Sequence, residues 1–267
     1  MDKTNFLGYH MIAATVFVIG TVFFCWFCWP AVCKGMLNAG NICGMALSAA
    51  IMFFSIFSRI GAGCHILMLA AALFFAYKQR NVLQALWKTY QPIVCSWEGF
   101  FYFCFIVAVA FFTSRGEFHT DTNIYHAAAI RLYEEYGLIK GVGNLQLHFA
   151  YNSSYLAFAS VFSLHWLFGR SLHTTTGFLE VIMCIYAFHG LKNFKQHENH
   201  AADMMKIGIL FYTLVNVTRS MSPATDYAVM FFVLFILTEW CENFFGGGYE
   251  RISVCAALGC GSFCGDA

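Results

Sequence analysis

Apolar residues in this chain come in long runs, and polar residues are gathered into a few short intervals. Runs near the roughly 20 mainly apolar residues that a spanning helix needs lie at 10–32, 41–58, 60–77, 97–113, 152–168, 174–191, 204–220 and 223–243. The pattern predicts an all-α fold, a polytopic transmembrane helix bundle of about 7–8 spans. Residues 1–113 read as N-terminal transmembrane helices, 114–151 as an extracytoplasmic loop, and 152–267 as further transmembrane helices. The second and third runs are separated only by Ser58-Arg59-Ile60-Gly61, which predicts a tight helical hairpin. The first run follows Met1-Asp2-Lys3 without a small-residue cleavage site, so it reads as a retained helix rather than a removed signal. After Gly246-Gly247-Gly248 another apolar run starts near Ile252 and stops at Ala267. A helix cut within a bilayer strands backbone groups in lipid. The expectation is therefore the N-terminal part of a longer protein.

Composition points the same way. The chain is 60% hydrophobic and 11% charged, against roughly 45–50% and about 25% in soluble domains. A multi-pass location in the cell membrane follows, with the lipid bilayer as partner. The net charge of +1 gives no field for a polyanion, so no nucleic-acid partner is expected. Of the twelve cysteines, Cys25, Cys28, Cys43, Cys64, Cys104, Cys184 and Cys241 lie in or beside apolar runs, and 114–151 contains none. Cys25-Trp-Phe-Cys28 has redox spacing but no nearby cation to stabilise a thiolate, and reads as small apolar packing.

Orientation rests on basic loops. Lys78, Arg80 and Lys88 mark 78–96 as cytoplasmic, and Lys192, Lys195 and Lys206 mark 192–206 likewise. Three crossings between them would place them on opposite sides. The run at 152–168, which opens with Asn152-Ser153-Ser154, is therefore expected to dip in without crossing. Asn152-Ser153-Ser154 also fits a glycosylation sequon, and serves equally well as a helix start.

The polar interval 114–151 carries the candidate chemistry. It reads Arg115-Gly-Glu117-Phe-His119-Thr-Asp121-Thr-Asn-Ile-Tyr125-His126, then a helical stretch that ends at Glu135-Tyr136-Gly137. Thr120 or Asp121 suits a helix N-cap, Arg131 and Glu135 are one turn apart, and Gly137 is a stop. The expected helix lies flat on the bilayer surface. His119, Asp121 and His126 have donor chemistry, but their spacing is not a recognised metal signature. The metal is therefore unassigned: a divalent cation stays open, and no other cofactor is indicated.

The run His119-Thr-Asp121-Thr-x-x-Tyr125-His126, with Ile130-Arg131, Glu135-Tyr136-Gly137, Gly141-x-x-Asn144-Leu145 and Tyr151-Asn152-Ser153-Ser154, resembles a family of bacterial multi-spanning proteins. That family in turn resembles the C-type glycosyltransferases, which use polyprenyl-phosphate sugars. Ser220-Met-Ser222-Pro223-Ala-Thr-Asp226 resembles the same family at a second place, with Met221 breaking a serine pair. Lys140 stands where the resemblance implies proline, and His148 where it implies arginine.

The resemblance implies transfer of a sugar from a polyprenyl-phosphate donor to a cell-envelope acceptor outside the cytoplasm. It places Asp121 as the catalytic carboxylate. Arg115, Arg131 and His148 would bind phosphate. His119, Tyr125, His126, Asn144, Asn152 and Asp226 complete the implied substrate site. Glu180, alone in its apolar run, reads as a buried hydrogen-bonding group or a functional one. The competing expectations are a membrane transporter or channel and a non-catalytic membrane subunit. A transporter should show broken helices, repeats or several intramembrane charges.

Overall fold

The computed structural model describes residues 49–78, 80–114, 120–192, 194 and 200–245. The described residues are helical throughout, with no strand. A helical run at 49–57 turns at 58–61 into α1 (Ala62–Lys78), followed by α2 (Arg80–Val94) and α3 (Trp97–Ser114). A π-helical segment, Thr122–His126, leads directly into α4 (Ala127–Glu135). Two 3₁₀ turns, Val142–Asn144 and Leu147–Tyr151, precede α5 (Ser154–Phe162) and the single turn α6 (His165–Phe168). The described residues close with α7 (Thr175–Gly190), α8 (His200–Asn216), a 3₁₀ turn at Val217–Arg219, and α9 (Thr225–Phe245).

Two cores hold these elements. In the first, Ile130 and Tyr133 of α4 meet Ala157, Val161 and Phe162 of α5, Ile51, Ile60, and Phe178 of α7. The expected hairpin turn is pinned onto the end of α4: Ile60 N–H donates to the Tyr133 carbonyl at 2.9 Å, and Leu138 N–H donates to the Ser55 carbonyl at 2.8 Å. Gly137 ends α4 with φ +76°, and a methyl group there would sit 2.6 Å from the Ser58 carbonyl oxygen. In the second core, Leu179 and Met183 of α7, Ile209 of α8, and Ala228 and Phe231 of α9 pack together. α7 links the two cores, with Phe178 in the first and Leu179 and Met183 in the second, and Gly177 lets it approach Thr113 and Val109 of α3.

The all-α expectation agrees with the described residues, but the transmembrane bundle does not. No described helix is long and apolar enough to cross a membrane, so the expected multi-pass placement in the cell membrane is corrected. The reason is local. The run 152–168 is broken at Leu164, which takes φ +48° between α5 and α6. The run 204–220 is divided at Asn216, where α8 gives way to a 3₁₀ turn. The 21-residue α9 carries Asp226 at its start and Glu239 and Glu242 near its end, which leaves too short an apolar stretch between them. Within α7, Thr175, Thr176 and Glu180 are buried in the protein core.

Two of the basic residues used for orientation, Lys192 and Lys206, also have local partners. Lys192 Nζ donates to Glu98 Oε2 at 2.6 Å, and Lys206 lies inside α8, 2.5 Å from Glu242 Oε1. The interval 78–96, read as a loop, is mostly α2. The expected surface-lying helix is corrected too: α4 buries Ala129, Ile130, Tyr133 and Glu134. The apolar run at 10–32, the Cys25/Cys28 pair, Cys43 and the tail from Ile252 lie outside the described residues.

Candidate functional site

The site forms where the π-helical segment meets the second 3₁₀ turn. A π-helix adds a residue to the turn, re-aiming side chains relative to an α-helix, and such segments are frequent at functional sites. Here it places Tyr125 outward and His126 inward; His126 is 1% exposed. In the 3₁₀ turn, side chains three apart eclipse, so His148 and Tyr151 share a face. Tyr125 stacks on His148 with centroids 4.7 Å apart and planes at 21°. Tyr151 closes the group edge-on, 6.4 Å from Tyr125 and 5.7 Å from His148. The result is a three-ring platform.

Two carboxylates act on this platform. The Tyr125 phenol is pushed up by burial, then by the charges of Asp121 and Asp226 and by Tyr151. The charges of two residues 105 positions apart in sequence are thus both felt at one phenol. Asp121 does not serve as the cap expected from its position: its backbone is helical and its side chain makes no capping hydrogen bond. What holds the two segments together is a buried hydroxyl pair, Thr122 Oγ1 and Ser222 Oγ, 2.6 Å apart. Thr176 of α7 donates to the Ser222 carbonyl at 2.6 Å, and Tyr155 of α5 bonds Thr176 Oγ1 at 2.9 Å. Elements α5 and α7 therefore anchor the segment that leads to Asp226.

A cavity of about 270 Å³ opens beside the platform, lined by Tyr125, Tyr133, His148, Tyr151, Asn152 and Thr225 among others. Tyr133 donates to Asn152 Oδ1 at 2.6 Å, and Asn152 holds a left-handed backbone at φ +44°. Behind Tyr125, burial and the neighbouring His126 push the His173 imidazole down to about 4. It is neutral near pH 7. Deeper still, burial raises the Glu180 carboxyl to about 8 despite a hydrogen bond with Ser220.

Of the residues singled out in sequence, Tyr125, His126, His148 and Asn152 surround this cavity or back it, and Asp121 and Asp226 act on its tyrosine. Asn144 lines a second, larger cavity. Arg131 points away: half-exposed, its Nε donates to Glu135 Oε1 at 2.5 Å on the outer face of α4. Arg115 and His119 lie outside the described residues. Among the described residues no group of three or more His, Cys, Asp or Glu is arranged to hold a metal ion.

Tyr133 and His173 emerge only from the structure, as do the parts played by Thr122, Tyr151 and Ser222, which stand in the quoted motifs without a role. The His148-x-x-Tyr151 spacing was a usable signal for Tyr151, had a 3₁₀ turn been expected there. No local signal joins Thr122 to Ser222.

No curated protein and no solved structure matches the chain. Residues 5–263 match the family described as domain of unknown function (DUF8201), and the chain belongs to that family.

Proposed function

We propose that the cavity binds a sugar ring and that the chain transfers this sugar from a polyprenyl-phosphate donor to an acceptor hydroxyl. The supporting observation is the Tyr125–His148–Tyr151 platform with Asp121 and Asp226 bearing on its central hydroxyl. The C–H groups on one face of a pyranose are weakly positive and stack on the negative face of an aromatic ring. The remaining hydroxyls need acceptors and donors, which Asn152 and Thr225 supply at the cavity wall. At about 270 Å³, the space lies just below the roughly 300–1,000 Å³ of drug-sized ligand sites. It suits one sugar ring rather than a chain.

In this reading Asp121 is the general base. The acceptor O–H proton passes to its carboxylate, the acceptor oxygen forms the new bond to the anomeric carbon, and the anomeric C–O bond breaks with its electron pair leaving on phosphate. Asp226 positions the Tyr125 hydroxyl and, with it, the ring. General-base catalysis contributes roughly 10²–10⁴-fold. Transfer from a polyprenyl-phosphate sugar by the Asp121→Asn protein should fall by that order, with the fold intact by circular dichroism. Wild-type transfer by that variant would end the assignment.

A further inference from the structure

Asn152 stands in the wall between the two cavities. It lines both, as do Ala129, Tyr133 and Phe149, and the cavity beyond that wall is the larger, about 700 Å³. Its backbone is left-handed, at φ +44° and ψ +50°, a conformation that asparagine tolerates better than most residues. Its Oδ1 accepts from the Tyr133 hydroxyl at 2.6 Å. Burial pushes the Tyr133 phenol up, so it keeps the proton it donates. Among the described residues this is the one hydrogen bond of the Asn152 side chain. With Oδ1 engaged, the amide presents Nδ2, which carries two N–H donors and accepts nothing.

We infer that Asn152 selects an acylamino sugar: Nδ2 donates to the acyl carbonyl, and the methyl beyond that carbonyl packs on Ala129 and Phe149. This rests on the sugar-binding reading above and names the class of sugar. A ring hydroxyl at this wall can also accept from Nδ2, but its own proton would compete with Tyr133 for Oδ1. A carbonyl oxygen only accepts, so it matches the donor pair and leaves no proton over. Ala129 and Phe149, which share the wall with Asn152, are apolar, and burying a methyl against them is favourable. Space agrees with chemistry. The smaller cavity, about 270 Å³, suits one ring, and a substituent that passes the shared wall enters the larger one. Ser153 and Thr225, on the lining of the smaller cavity, remain for the ring hydroxyls. Tyr133 is a positioning residue here, acting through the amide it holds.

Methyl glucoside and methyl N-acetylglucosaminide, titrated calorimetrically into the full chain, test the assignment. Wild type should bind the acetamido probe about tenfold more tightly, the size expected for one hydrogen bond with a buried methyl. Asn152→Asp keeps the acceptor for Tyr133 and tolerates the left-handed backbone, but removes both N–H donors. It should erase the tenfold preference while affecting methyl glucoside much less. Asn152→Gly, which suits the same backbone and removes the whole amide, should erase it too. Tyr133→Phe lets the amide turn over and should lower the preference. Equal binding of the two probes by wild type, or a preference that survives in both Asn152 variants, overturns the acylamino assignment. Full preference in Tyr133→Phe overturns the positioning role of Tyr133. Failure of wild type to bind either probe is a different result, and undoes the sugar site itself.

Discussion

Asp121 and Asp226 occupy similar positions near helix starts, yet they carry different roles in the proposed mechanism. Asp121 makes no capping hydrogen bond and asparagine has nearly its size, so Asp121→Asn isolates the charge and proton-accepting function from local structure. Asp226→Asn should cost less transfer than Asp121→Asn, because Asp226 acts through Tyr125; kcat and KM measured on both variants decide it. An equal or larger loss for Asp226→Asn would exchange the two assignments. Glu180 offers a stability test at the same scale. It is 1% exposed, and burial raises its carboxyl from 4.5 to about 8. Between those values the unfolded chain releases a proton that the folded chain retains. The contribution of Glu180 is thus fully present below about 4.5 and is lost as pH rises towards 8. Each tenfold displacement is worth about 1.4 kcal/mol, so several kcal/mol of pH dependence are at stake. Melting curves at both ends of this window should show Glu180→Gln losing much less stability than wild type on going from acid to neutral pH. Parallel losses would mean the carboxyl is ionised in the fold.

The π-helical segment and the 220–226 turn are separate elements joined by Thr122 and Ser222. Removing either hydroxyl leaves the other buried without its partner, which costs about 1–3 kcal/mol. Thr122→Val and Ser222→Ala should each destabilise by that amount. The double variant should cost less than the sum, since it removes both groups at once. Urea denaturation measures the cycle, and strict additivity would show that the pair is not coupled. Between α8 and α9 the tie is ionic: Lys206 stands 2.5 Å from Glu242 and 3.9 Å from Asp203, which is 1% exposed. Removing one member of a buried pair typically costs about 3–5 kcal/mol. Lys206→Met should fall in that range, with Asp203→Asn in the same chain recovering part of it. No recovery would place the loss in packing against Gly190 rather than in charge.

At the scale of the molecule, α7 joins the two cores, and its close approach to α3 sets where it lies. A methyl group at Gly177 would stand 2.5 Å from Thr113 Cγ2, so Gly177→Ala should lower the melting temperature and Thr113→Ser in the same chain should restore part of it. The outward faces of α8 and α9 show Phe211, Leu214 and Val229, each more than half exposed. These side chains add apolar content to both helices without joining either core. That content explains how hydropathy alone suggested a bilayer. Window averages register the apolar content of a run and miss the turn at Leu164, the division at Asn216 and the carboxylates of α9 that cut the runs into shorter helices.

Helical class, the turn at 58–61, the stop at Gly137 and the chemical richness of 114–151 were legible in the sequence because each is a local matter of spacing, punctuation or residue type. So were Asp121, Tyr125, His126, His148, Asn152 and Asp226 as residues able to do chemistry. Only the tertiary structure decided which of them meet. A π-helical turn, a 3₁₀ turn and a hydroxyl pair spanning 100 residues set the platform and leave it within the field of both carboxylates, while Arg131 is turned outward by the face of α4 on which it falls. Burial of the apolar runs was dictated by their composition. Which of their residues meet one another depended on helix length and on partners far apart in the chain, which hydropathy does not encode.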